Sequence, residues 1–285
     1  MLVNMNEVLL PAREGGYAVG LFNTVNLEMA RGVIAAAEEL NSPVIIGTAQ
    51  ILLPYGPLED LANLLIPMAR RASVPVVVHL DHGLQEETCK QALAAGFSSI
   101  MYDCSTEEYR VNIEKVRSMA ELAHRFGASL EAELGHVGDN EGSAEGADYL
   151  ARPEQFYTDP EQAKEFLDLT GADALAIAVG TAHGAYQFTP RLDFDRIRRI
   201  SQMTGAALVL HGGSGLPDES FKKAIASGIC KVNIFTDINT AGAAAACKAY
   251  RDGGGLTDLL LPAVEAIKQE TMKKMCLFGS VDKGN

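Results

Sequence analysis

A chain of 285 residues with 47% hydrophobic side chains can form one large domain or two ordinary ones, and it holds enough apolar surface for a sizeable core. Its net charge of −13 argues against an electrostatically driven nucleic-acid binder, because neutralising a phosphate backbone takes a basic face. The cysteines (Cys89, Cys104, Cys230, Cys247, Cys276) are odd in number and scattered, which argues against a disulfide framework; no window approaches the ~18 apolar residues of a membrane span, and no basic region leads into an apolar leader, so a reduced, cytoplasmic protein is expected.

In chain order, a first strand-like run, YAVGLF (17–22), precedes an amphipathic helix, LEMARGVIAAAEELN, whose apolar face is read as Leu27, Ala30, Ile34 and Ala37. PVIIGTA (43–49), VPVVVHL (74–80) and SSIMYD (98–103) follow, then the helix EYRVNIEKVRSMAELAHRFG, ended by Gly127. SLEAEL (129–134), ALAIAVG (174–180), ALVLHG (207–212) and ICKVNIF (229–235) complete eight runs of the kind that makes buried parallel strands. Eight alternations of strand and helix predict an α/β fold, a (β/α)8 TIM barrel forming a single domain over residues 1–285, with one or two extra terminal helices in the last stretch. The alternative is an open doubly wound sheet, but its G-x-G-x-x-G loop after strand one is replaced by LFNTVN. Residues 135–160 form a long acidic connection after strand five, on the side where barrels build active sites, and are read as a mobile active-site loop able to close as a lid.

Three histidines stand where an apolar run gives way to glycine: His82, His183 and His211. Delivered by three strands to one barrel mouth, three imidazoles would fill three positions of a zinc ion and leave one for water or substrate, the pattern of a catalytic site. Asp81 beside His82 is read as a general base facing substrate, by strand alternation, with helix capping as its alternative. His79 is assigned to packing behind the site and His124 to solvent, while His136 stays open. Asp103 and Glu133 place carboxylates near the metal; Glu131 is read as the salt-bridge partner of Lys231. Gly184, the turn Gly212, Gly213 and Ser214, and the stretch Asn233 to Thr236 could bind phosphate through backbone amides, which suits an acidic protein.

Together LDH (80–82), EAELG (131–135), GTAHG (180–184), HGGSG (211–215) and KVNIFTD (231–237) resemble the class II, zinc-dependent sugar-phosphate aldolases, in that family's order over nearly the whole chain. The resemblance implies Zn2+ on His82, His183 and His211, Asp81 exchanging the hydroxyl proton at the carbon where the bond breaks, and Glu133 and Asp103 holding or exchanging the metal. It also implies that Glu141 handles a proton on the enediolate carbon. Gly184, Gly212, Gly213, Ser214, Asn233 and Thr236 would bind the phosphate of dihydroxyacetone phosphate with a Na+ or K+ ion, and Asn23 would touch the substrate. A phosphorylated sugar is the expected partner, with neither nucleic acid nor membrane, and a homodimer or homotetramer the expected assembly.

Departures from the family concern the other end of the substrate. Phe235 replaces an aspartate in N-I-D-T, Ala49 replaces a hydroxyl-bearing residue, and the tail ETMKKMCLFGSVDKGN has no arginine for a distal phosphate, leaving Lys273 or Lys274 as substitutes. Three other readings compete: a zinc hydrolase on the same histidines, a Schiff-base aldolase using Lys231, and a non-catalytic sugar-phosphate-binding subunit of an aldolase.

Overall fold

The computed structural model describes residues 1–137, 153–182 and 190–284. Eight parallel strands close on themselves in sequence order: β1 (Val19–Asn23), β2 (Val44–Ala49), β3 (Val76–Gly83), β4 (Ser99–Tyr102), β5 (Ser129–Leu134), β6 (Ala174–Ile177), β7 (Ala207–Leu210) and β8 (Ile229–Ile234). Closure is made by β1 against β8, with Leu21 opposite Asn233, and this decides for the barrel over the open sheet. The apolar runs become strands because both faces of each are buried, one against helices and one inside the barrel.

Ten helices are seen among the described residues: α1 (Asn6–Gly15), α2 (Leu27–Glu39), α3 (Leu58–Arg71), α4 (Glu86–Ala95), α5 (Tyr109–Arg125), α6 (Pro160–Thr170), α7 (Phe194–Thr204), α8 (Asp218–Ala226), α9 (Thr236–Ala249) and α10 (Thr257–Phe278). Met5, Val8, Leu9 and Ala12, in and just before α1, pack on Val19, Leu21, Val77, Ala174, Ala207 and Val209, so this helix plugs the N-terminal end of the barrel. The interior is therefore apolar at its floor and opens only at the C-terminal ends of the strands. The expected terminal helices are one long one, α10, which packs on α2 and α9. No described helix is long and apolar enough to cross a membrane, and all five cysteines are free.

Two helical details differ from the sequence reading. Asn26 caps α2 by accepting a hydrogen bond from Met29 N, and the helix phase set there turns Met29, Ala30, Val33 and Ile34 inward while Leu27 is exposed. His124 is not simply solvated: its Nε2 lies 2.8 Å from Asp173 Oδ2, whose carboxylate also accepts from Leu130 N, tying α5 to the turn before β6.

Candidate active site

Alternation along the strands sorts the interior polar side chains into two levels. On the lower level His79 (β3), Glu131 (β5) and Lys231 (β8) are all fully buried. Lys231 Nζ lies 2.8 Å from Glu131 Oε2, the expected pair, and His79 Nδ1 is 2.8 Å from Ser99 Oγ, which fits its assignment to packing. One step up, Asp81, Glu133 and Asn233 reach the mouth, and His211 joins them just past the end of β7.

Simple alternation would send Asp81 and His82 to opposite faces, yet both line the cavity at the mouth. The reason is a local irregularity: His82 has φ +42°, and the pairing of β3 with β4 shifts register between Leu80 and Gly83. A non-glycine residue in that region is uncommon and carries strain of order 1 kcal/mol or more, here spent on aiming an imidazole inward. His82 Nδ1 lies 2.8 Å from Asp103 Oδ2 and its Nε2 lies 2.8 Å from His211 Nδ1. On its other side, His211 Nε2 lies 2.9 Å from Glu131 Oε1.

The charges follow from these contacts. Burial opposes protonation of His82, but the nearby Asp81 carboxylate and the Asp103 hydrogen bond overcome it and raise the imidazole to about 10. Burial and the His82 charge lower His211 to about 4. The contacts run from His82, the more basic of the two imidazoles, through His211 to Glu131. Asp81 is held well below the usual carboxylate range; burial would raise it, but His82, His211 and Lys231 outweigh burial. Its two oxygens are both occupied: Asn23 Nδ2 donates to Oδ2 at 2.7 Å and Asn233 Nδ2 to Oδ1 at 2.9 Å. Lys231 Nζ donates to Asn233 Oδ1 at 2.7 Å, which fixes the direction of that amide. No helix-capping contact of Asp81 is seen among the described residues.

Above these residues opens a cavity of about 560 Å³. One edge is formed by Gly212, Gly213 and Ser214 after β7 and by Phe235 and Thr236, where α9 begins after β8. Gly212 has φ +64°, and a Cβ there would lie 2.4 Å from Ala182 O, so the close approach of the β6 and β7 loops demands glycine. Ser214 Oγ accepts from Phe235 N at 3.2 Å, joining the two loops into a cradle at the N-terminus of α9.

Comparison with known proteins bears directly on this arrangement. Residues 3–283 match the family described as fructose-bisphosphate aldolase class-II. The chain belongs to that family. Similar proteins include one from Bacillus subtilis named "Probable fructose-bisphosphate aldolase", 40% identical with 98% of each chain covered. Another is the fructose-bisphosphate aldolase of Staphylococcus aureus, 37% identical over 99% of each. Among solved structures, the YdjI aldolase from Escherichia coli K12 superposes with a TM-score of 0.89 at 35% identity over the whole of both chains.

Class II aldolases are generally zinc-dependent, and the residues present fit a divalent cation. Ligand atoms of Asp81, His82 and His211 lie within 4.8 Å of one another, as do those of His82, Asp103 and Glu133. Glu133 Oε2 is buried with no hydrogen-bond donor and lies 3.7 Å from His211 Nδ1. Burial, then the neighbouring Asp103, pushes its carboxyl up to about 8, and the nearby His82 offsets this only in part. A cation between nitrogen and oxygen donors would add positive charge beside it.

His183, Gly184 and Glu141 lie outside the described residues. Asn23 and Asn233, expected at the substrate, also hold Asp81, and this needs β1 and β8 to be neighbours, a fact available only from closure. His136, left open by the sequence, lines the cavity too, its Nδ1 lying 3.2 Å from Ser105 Oγ, as does Thr106, which no sequence pattern set apart from ordinary loop residues. Lys274 pairs with Asp237 and Lys273 with Glu270, and neither lines the cavity.

Proposed function

We propose that this aldolase, a lyase, reversibly cleaves a ketose 1-phosphate or 1,6-bisphosphate into dihydroxyacetone phosphate and an aldehyde through an enediolate, with one Zn2+ per chain. The observation that carries the reading is the buried Asp81 carboxylate, doubly held by asparagines, beside the His82–His211 pair and facing the glycine-serine cradle across one cavity. His82, His183 and His211 would hold the metal, with Asp103 and Glu133 as a second set. When bound, the cation supplies Lewis acidity to the ketone and hydroxyl oxygens, stabilising the charge left when the carbon–carbon bond breaks.

Asp81 takes the proton of the hydroxyl on the carbon where the bond breaks, a contribution of about 10²- to 10⁴-fold for a positioned base. Its low proton affinity keeps it ionised, and Asn23 and Asn233 prevent it from turning away. Gly184, Gly212, Gly213, Ser214, Asn233 and Thr236 receive the phosphate through backbone and hydroxyl donors, with a Na+ or K+ ion alongside. Glu141, from the 135–160 loop, exchanges the proton at the enediolate carbon and the loop keeps water out. The chain works as one domain over 1–285, assembled as a homodimer or homotetramer.

Heavy-water exchange tests the reading. The zinc-loaded protein is expected to exchange deuterium into dihydroxyacetone phosphate and to stop after EDTA treatment. No exchange at full zinc occupancy would overturn the proposal and favour a hydrolase or an accessory subunit.

A further inference from the structure

We propose that the aldehyde half of the substrate is uncharged and carries an alkyl tail, held by an apolar wall on Ile51, Leu52 and Leu84; this rests on the aldolase reading above. The cavity has two differently built ends. The glycine-serine cradle occupies the β7–β8 side, and Ala49 at the end of β2, Ile51 and Leu52 after it, and Leu84 after β3 line the same cavity. Phe235 extends the apolar lining from β8, and its backbone N–H is used by Ser214.

The wall is preorganised. Gln50 Oε1 accepts from Leu84 N at 2.8 Å and from Gln85 N at 3.1 Å, so one buttressing amide fixes the turn carrying Ile51 and Leu52 to the turn carrying Leu84. Ile51 is 70% exposed and Leu84 52% exposed, yet both border the cavity, so a ligand chain lying on them leaves water along its length. The described residues lining the cavity include no lysine or arginine, so none of them offers a terminal phosphate at that end a countercharge.

The reaction balances without a further reagent. In the synthetic direction the carbon of dihydroxyacetone phosphate that loses a proton forms the bond to the aldehyde carbon, and the aldehyde oxygen takes up a proton. Only the tail beyond the reacting carbon distinguishes candidate aldehydes, so the wall acts on specificity and leaves the bond chemistry alone.

The test measures kcat/KM for addition of dihydroxyacetone phosphate to glyceraldehyde 3-phosphate, glyceraldehyde, lactaldehyde and 2-hydroxybutanal, with heavy-water exchange run in parallel. The expected result is a rise along the last three, from loss of the terminal hydroxyl between glyceraldehyde and lactaldehyde and by up to about fourfold for the methylene added in 2-hydroxybutanal, with the phosphorylated aldehyde no better than glyceraldehyde. Ile51→Ser and Leu84→Ser are expected to flatten that rise, which separates a contact with the tail from a general loss. A tenfold or greater preference for glyceraldehyde 3-phosphate, with exchange intact, would overturn this inference alone; absence of exchange would overturn the aldolase reading and this inference with it. If the serine variants change the assembly state in sedimentation and leave the aldehyde ratios untouched, the wall is a contact between subunits and the inference fails.

Discussion

Replacing Lys231 by methionine removes a fully buried lysine inside the barrel and leaves Glu131 with its charge in a fully buried place. Burial pushes the Glu131 carboxyl up, but Lys231 and the His211 hydrogen bond bring it down to about 2, so the group is firmly ionised at neutral pH. Removing one partner of such a pair costs about 3–5 kcal/mol because the remaining charge is uncompensated. The same change strips Asn233 Oδ1 of its 2.7 Å donor, and loss of that restraint on the amide facing Asp81 should lower kcat by about two- to tenfold. Urea denaturation of wild type, Lys231→Met, Glu131→Gln and the double variant gives the full cycle. Glu131→Gln keeps an oxygen for His211 and removes the orphan charge, so the double variant should recover more than half of the stability lost by Lys231→Met. A Lys231→Met cost under about 1 kcal/mol, or strict additivity of the two changes, would refute the description of a buried, mutually dependent pair.

Two further outcomes are expected. Glu133 carries a folded-state value of about 8 against an ordinary 4.5, so the folded protein without metal holds a proton that the unfolded chain releases, and stability falls as pH rises between those values. Glu133→Gln should remove that slope, leaving the metal-free variant more stable than metal-free wild type near pH 8 by an amount bounded at about 1.4 kcal/mol per pH unit; parallel stability curves for the two proteins from pH 5 to 8 would refute this. Gly212→Ala places a Cβ 2.4 Å from Ala182 O at a positive φ, so about 1–3 kcal/mol of stability and a several-fold rise in KM for dihydroxyacetone phosphate are expected, and an unchanged KM would remove this turn from the phosphate site.

The architecture was legible because strands buried on both faces leave near-continuous apolar runs, and each of the eight runs overlaps a strand. Strand ends were less legible. At β3 the sequence places Asp81 and His82 correctly in the mouth but suggests opposite faces, and the positive φ of His82 has no glycine to announce it. The Asn23–Asp81–Asn233–Lys231 chain joins β1, β3 and β8, so it depends on closure between chain segments far apart in sequence. The pairing of Glu131 with Lys231 could be anticipated because two opposite charges in an apolar interior have few other partners. Thr106 and His136 enter the cavity through loop geometry that no periodicity encodes.

Asp81→Asn offers the most direct test of the central claim, since it keeps the side chain's size beside Asn23 and Asn233 while removing the proton acceptor. Cleavage of the ketose phosphate and deuterium exchange into dihydroxyacetone phosphate should be followed on the same zinc-loaded preparation. Cleavage is expected to fall by about 10²- to 10⁴-fold, with exchange, which involves no hydroxyl proton at the breaking bond, retained within about tenfold. Retained cleavage, or loss of both activities in equal measure, would contradict the assignment of Asp81 as the group that takes that proton.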